Sequence, residues 1–102
     1  MSFRYTQVGA FLHEDKFQEA CDFLVDKLVK QEVDAAAEDG RPVQVRTNKA
    51  AVVRDKDLGA DYRTLSRWIA TLRDRGFDVI KIAETKLEKL VKEQSQKPTT
   101  QA

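Results

Sequence analysis

The sequence has few of the residues that build catalytic and metal sites. Its 102 residues include one cysteine, Cys21, and one histidine, His13. A single cysteine cannot form a disulfide within the chain, and nucleophilic catalysis of the Ser-His-Asp or Cys-His type would need His13 itself as the base. Metal binding by these two residues alone would lack the usual four ligands. With no glycine-rich phosphate loop either, we expect a non-catalytic protein without a cofactor.

Long apolar runs are also missing. No stretch approaches the roughly 20 residues that a membrane-spanning helix needs, and residues 1–7 lack an apolar segment of signal-peptide length. Together with the lone cysteine, this predicts a cytoplasmic protein with no membrane partner. A hydrophobic share of 41% beside 34% charged residues is typical of a globular chain. We expect one domain over residues 1–93 and a disordered polar tail over 94–102.

Neither sign of charge dominates the whole chain, because the formal net charge is +1. The distribution is uneven, however. Residues 1–40 contain nine Asp or Glu against four Lys or Arg, whereas residues 41–76 contain nine Lys or Arg against four Asp. This asymmetry can mark a surface for a polyanion, or it can reflect two segments that neutralise each other in the fold.

A regular apolar stripe predicts a long helix over residues 15–38. The stripe recurs at intervals of three and four residues: Phe17, Ala20, Cys21, Leu24 and Leu28. Asp15 is placed to cap the start of this helix, and Gly40 followed by Pro42 to end it. Further apolar residues widen the surface, which indicates burial on two sides or a partner helix. Cys21 is expected to be an inert core thiol.

Three shorter helices are expected in the second half of the chain, over about 50–55, 62–75 and 84–93. Thr47 or Asn48 can cap the first of them, Asp61 can cap the second, and Gly76 ends the second. The apolar stripe of helix 62–75 is Leu65, Trp68, Ile69 and Leu72. Its spacing predicts that Trp68 lies in the core and is not a platform for base stacking.

Short segments at 43–45 and 77–82 alternate in polarity, which is typical of strands. The opening segment 3–12 could be a strand or an extended arm over the core. The resulting order is helix, strand, helix, turn, helix, strand, helix. It predicts an α+β, helix-rich, winged-helix-like fold with short strands, in which a C-terminal helix replaces the second wing strand.

Residues 59–79 resemble the second half of a winged helix-turn-helix, and are especially similar to the DNA-binding domain of biotin-ligase repressors. In that family a Gly-x-Ser turn leads into a recognition helix that ends in a Leu-Arg-Asp-x-Gly-like signature before a strand. Here Asp61 stands at the position of the usual Ser, and residues 72–76 match the signature. The turn before the helix is longer than usual and the second wing strand is missing, so the wing's function is not carried over.

The resemblance implies double-stranded DNA as the partner and helix 62–75 as the recognition helix in the major groove. The expected DNA-binding residues are Thr47, Asn48, Lys49, Arg54, Lys56, Tyr62, Arg63, Ser66 and Arg67. Those before the helix are expected to hold phosphates through side chains or through backbone amides at 47–49. Those on the first turns of the helix are expected to reach bases or phosphates.

The favoured function is a small transcriptional regulator, with homodimerisation inferred from the wide apolar faces of the first and last helices. The alternative is a protein-binding adaptor or inhibitor that acts through the acidic N-terminal helix. An enzyme is the least favoured class. The arginines of helix 62–75 could also be no more than a solvated face, since amphipathic helices of this kind occur in proteins of every function.

Overall fold

The computed structural model describes residues 6–96, and the side chains of residues 6–94. Over this range the chain forms five helices and no strand. The helices are α1 (Gln7–His13), α2 (Phe17–Asp39), α3 (Lys49–Val52), α4 (Tyr62–Asp74) and α5 (Val79–Gln96). The predicted α+β, winged-helix-like fold is therefore wrong, because this part of the chain is all-helical.

Both expected strands fail because other hydrogen bonds occupy their backbones. Residues 43–45 are not helical, but the amide of Val43 donates to Oε1 of Gln94 at 2.9 Å, and no strand in the described range lies beside them. Residues 77–82 lead into α5, where the amide of Lys81 donates to Oδ1 of Asp78 at 3.2 Å. A strand needs a second strand to hydrogen-bond its backbone, whereas the amides of a helix bond to carbonyls of the same helix. Hydrogen bonds to nearby side chains therefore determine the structure here, and the short alternation in polarity does not.

The opening segment is helical from Gln7 onward, so neither the strand nor the extended arm expected for 3–12 is correct there. Thr6 caps α1, because its Oγ1 accepts from the amide of Gly9 at 3.0 Å. Residues 1–5 lie outside the described range. Asp15 does not cap α2; it lies in the turn before it with a φ of 58°, and the N-cap is Lys16, without a side-chain hydrogen bond.

The end of α2 and the apolar stripe of α4 are confirmed, and the stripe of α2 is confirmed except at Phe17, which is half-buried at the edge of the core. Gly40 ends α2 in the left-handed conformation, with a φ of 64°. α2 packs against all four other helices and therefore forms the centre of the core. The stripes of α2 and α4 supply much of that core as fully or nearly fully buried residues, namely Ala20, Cys21, Leu24, Leu28, Leu65, Trp68, Ile69 and Leu72.

The C-terminal helix is longer than expected and begins at Val79, five residues before the predicted start. It continues to Gln96, so the first residues of the predicted tail 94–102 are helical. The side chain of Gln94 also fixes the loop after α2, since its Nε2 donates to the carbonyl of Val43 at 3.3 Å. Residues 97–102 lie outside the described range.

A buried carboxylate on α2 holds that same loop. Glu32 is 0% exposed, and its Oε2 accepts from Nη1 of Arg41 at 2.7 Å and from the amide of Gln44 at 2.8 Å. Nε of Arg46 lies 3.3 Å from Oε1 of the same carboxylate. The hydrogen bond from Arg41 holds the pKa of Glu32 below its usual range. A single side chain thus fixes residues 41–46, which lead into α3.

The segment after α3 is tied to the same helix. Nζ of Lys27 lies 2.8 Å from Oδ2 of Asp55 and 3.6 Å from Oδ2 of Asp57. The contact with Lys27 lowers the pKa of Asp55. Leu58, which follows, is 1% exposed and belongs to the core. The segments that precede and follow α3 are therefore both bound to side chains of α2.

Replacing Glu32 by Gln should destabilise the fold. The side-chain volume is kept, but the charge that the surrounding donors bind is lost, and hydrogen bonds to a charged group typically contribute about 1.5–3 kcal/mol. We expect a loss of that size in the free energy of unfolding, measured by urea denaturation at pH 7. Glu38→Gln, on an exposed position of the same helix, is the control and should leave the stability unchanged.

The pH dependence provides a second readout of the same contact. Because the folded-state pKa of Glu32 is lowered from 4.5, its stabilisation is fully present above about pH 4.5 and is lost as the pH falls through the folded-state value. The stability of the parent should therefore decrease more steeply on acidification than that of Glu32→Gln. Equal slopes for the two proteins below pH 4.5 would contradict this assignment.

Candidate functional site

The start and end of α4 are defined by local signals, and both predictions are confirmed. Oδ1 of Asp61 accepts from the amide of Thr64 at 2.8 Å and caps the helix, and this hydrogen bond lowers the pKa of Asp61. After the helix, Gly76 adopts a φ of 91°, and the amide of Phe77 donates to the carbonyl of Leu72 at 2.8 Å. These caps fix where α4 begins and ends.

The outward face of α4 is basic. Arg63 and Arg67 are exposed and lie four residues apart, so they share one side of the helix. Tyr62 is 49% exposed and lies at the start of the same helix. α4 contains no acidic residue before Asp74. Within residues 6–94, no carboxylate lies within the 4 Å of an ion pair from either arginine.

α3 brings a further cation to this face. Nζ of Lys49 donates to Oγ of Ser66 at 3.4 Å and lies 5.1 Å from the centre of the Tyr62 ring. Asn48 caps α3, because its Oδ1 accepts from the amide of Ala51 at 3.1 Å. The structure thus brings together three of the expected site residues, Lys49, Tyr62 and Ser66. We call these three and the two outward arginines, Arg63 and Arg67, the α4 basic surface.

The other expected site residues are not part of this cluster. Arg54 borders an open groove of about 300 Å³ between α2 and α3, and Lys56 is exposed in the turn after α3. No hydrogen bond or ring contact among the described residues joins either of them to Lys49. Thr47 is half-buried beside the cap. Since α3 is a single turn with little dipole, we assign no phosphate to the amides at 47–49.

The sequence did not reveal how Lys49 is placed. Its contacts with Tyr62 and Ser66 span a nine-residue connection between α3 and α4. Such a contact depends on how the helices pack, and no short sequence motif predicts it. The apolar spacing did predict the outward direction of the two arginines, because it fixed the buried side of the same helix.

The few residues with catalytic potential do not form a second site. Cys21 is fully buried in the core, and burial raises the pKa of its thiol, which disfavours the nucleophilic thiolate. His13 is exposed at the end of α1. In the part of the chain that the structure describes, no group of three or more His, Cys, Asp or Glu is placed to bind a metal ion. No helix in that part is long and apolar enough to cross a membrane.

Comparison with protein-family models, curated proteins and solved structures finds no match to this chain. The resemblance of residues 59–79 to biotin-ligase repressors therefore stays a prediction.

The two faces of α4 should respond differently to truncation. Trp68 is 6% exposed, and removal of a buried large aromatic side chain typically costs about 3–5 kcal/mol. We expect Trp68→Ala to unfold the protein or lower its melting temperature strongly in a thermal scan. Arg63→Ala and Arg67→Ala should melt close to the parent, since exposed substitutions usually change stability by less than about 0.5 kcal/mol. A normally folded Trp68→Ala would mean that the faces of α4 are misassigned.

Proposed function

We propose that this is a small DNA-binding protein of the transcriptional-regulator type, which places α4 in the major groove of duplex DNA. The observation that carries the proposal is the α4 basic surface. Its arginines have no acidic partner within 4 Å among residues 6–94, and Lys49 lies beside them. The cations there are available to an external polyanion.

Many other cations of the described chain are engaged internally. Six of them lie within 4 Å of a carboxylate: Lys16, Lys27, Lys30, Arg41, Arg46 and Lys86. The remaining lysines of α5 share their helix with Glu84, Glu88 and Glu93. α4 has no acid between Tyr62 and Arg73, and the nearest one before it is its N-cap, Asp61. The small net charge of the chain therefore does not describe the charge of this surface.

The dimensions of α4 suit the major groove. Its 13 residues extend over about 20 Å, and a groove about 12 Å wide admits one helix. An arginine on the outward face can read guanine with two hydrogen bonds, while a lysine acts as a point charge on phosphate. We assign base contacts to Arg63 and Arg67 and a phosphate contact to Lys49. Tyr62 and Ser66 lie between these positions.

The surrounding helices give α4 the support that a recognition helix needs. α2, α3 and α4 all contact one another, in the order found in helix-turn-helix proteins, where the second helix of the motif enters the groove. The nine-residue connection from α3 to α4 exceeds the usual turn of about three or four residues. The charge and exposure of α4 therefore support the proposal, and the turn geometry of helix-turn-helix proteins does not.

The alternative, an adaptor that acts through the acidic helix, has less support. Several acids of α2 are engaged within the molecule: Glu32 is buried against Arg41, Asp34 pairs with Lys30 at 2.9 Å, and Asp39 lies 3.3 Å from Arg41. These contacts reduce the charge that α2 offers to a partner.

Duplex DNA should bind with an affinity that falls as salt rises. Each phosphate contact releases counterions, so the phosphate contact assigned to Lys49 contributes roughly −0.9 to the slope of the logarithm of the binding constant against the logarithm of salt concentration. Fluorescence anisotropy with labelled mixed-sequence duplex between about 50 and 200 mM salt measures this slope. No binding near 50 mM salt at high micromolar protein would contradict the proposal and favour the adaptor.

Substitutions within the α4 basic surface should weaken binding selectively. Arg63→Ala and Arg67→Ala should each reduce affinity roughly 5- to 150-fold if the arginine reads a guanine, whereas Lys49→Met should mainly reduce the salt slope, by about 0.9. Lys92→Ala is the matched control, because it removes one exposed positive charge from α5. Parent-like binding of both arginine variants, or an equal loss in the control, would show that α4 is not the contact helix.

A further inference from the structure

An apolar groove lies between α2 and α5, and the α4 basic surface contributes no residue to it. Val33 and Val43 line one end of the groove and Val29 the other, and Leu90 takes part in both. The two ends enclose about 170 and 340 Å³. Val33 is 38% exposed, which is high for a large apolar side chain. The groove therefore exposes apolar surface that the described part of the chain does not cover.

The charges along the groove are of opposite sign on either side of Leu90. Lys86 and Lys89 precede Leu90 on α5 and Glu93 follows it, and all three border the groove. The contact of Lys86 with Asp26 is long, at 3.9 Å between exposed side chains. Lys86 and Glu93 are seven residues, or about 10 Å, apart on the helix. They are thus too distant to pair with each other within one chain.

We propose that this groove is the contact surface between two copies of the chain, with their α5 helices antiparallel about a two-fold axis near Leu90. In that arrangement Leu90 packs against its own equivalent, and Lys86 of each copy faces Glu93 of the other. A two-fold contact must be self-complementary, and opposite charges on either side of an apolar centre meet that requirement.

The segments of the chain outside the described range fit the groove less well. Residues 97–102 follow α5 directly, but they are Lys-Pro-Thr-Thr-Gln-Ala and carry no large apolar side chain. Residues 1–5 contain Phe3 and Tyr5, but their only charged side chain is the cation Arg4, so they offer no acidic partner to Lys86. The second copy is the occupant that supplies both an apolar side chain and the matching charges.

Charge reversal tests this arrangement. Light scattering and sedimentation of the parent should give twice the 11.6 kDa chain mass. Lys86→Glu and Glu93→Lys should each weaken the dimer, by roughly tenfold in its dissociation constant, because both symmetric pairs become repulsive. Mixing the two variants should restore dimers, since each repulsive pair becomes attractive again. Lys92→Glu, which makes the same change of charge on an exposed residue that does not line the groove, should dimerise as the parent does.

Val33→Asp provides an independent test at an exposed position of the groove. It should give a monomer with the helical circular dichroism and melting behaviour of a folded protein. A parent protein that is monomeric at all accessible concentrations would overturn the proposal. So would a dimer that is unaffected by Val33→Asp, or charge-reversal variants that do not pair on mixing. None of these results depends on DNA, so they leave the proposed function to its own tests.

Discussion

The buried carboxylate of Glu32 is the contact that fixes the loop leading to α3, and with it the position of Lys49 in the α4 basic surface. The chain between α2 and α3 has no helix or strand of its own, and Glu32 fixes it through Arg41, Arg46 and the amide of Gln44. Burial of a carboxylate raises the free energy of the folded state unless donors surround it. The loop is therefore held in the conformation that brings its donors to Glu32. Lys27 then fixes the segment beyond α3 through Asp55. α3, and with it Lys49, is held to α2 on both sides.

This arrangement explains the uneven charge of the sequence. The acidic first part and the basic middle part allowed two interpretations, internal neutralisation or a surface for a polyanion. Each applies to different residues. Arg41 and Arg46 belong to the basic segment but are bound by Glu32, whereas Arg63 and Arg67 have no acidic partner within 4 Å in the described part of the chain. The first interpretation accounts for the loop, and the second supports our proposal for α4.

The features predicted correctly from the sequence are those that neighbouring residues determine. Asp61 and Gly76 define the limits of α4 through contacts within five residues, and the spacing of its apolar residues sets the buried side. The strands at 43–45 and 77–82 were predicted wrongly, because alternation over three to six residues is a weak signal. It cannot show whether a partner strand exists or whether Asp78 caps a helix instead.

The contacts that build the candidate site could not be predicted in the same way. Glu32 is one of many acids on α2. Its position four residues after Leu28 and four before Ala36 places it on the buried side of the helix, which Glu38 does not share, but this spacing does not identify its partners. Its partners are nine and twelve residues away, across a turn at Gly40. The contact of Lys49 with Tyr62 likewise depends on the path of the connection between α3 and α4. Such contacts follow from the packing of whole helices.

The central claim is that the outward side of α4 binds duplex DNA. Mapping of backbone amide shifts by NMR, with a short duplex titrated into labelled protein at low salt, tests it most directly. The account predicts that the largest shift changes occur at Lys49 and at residues 62–67, with the exposed acidic side of α2 unaffected. Changes confined to α2 or α5, or no changes at saturating DNA, would contradict it.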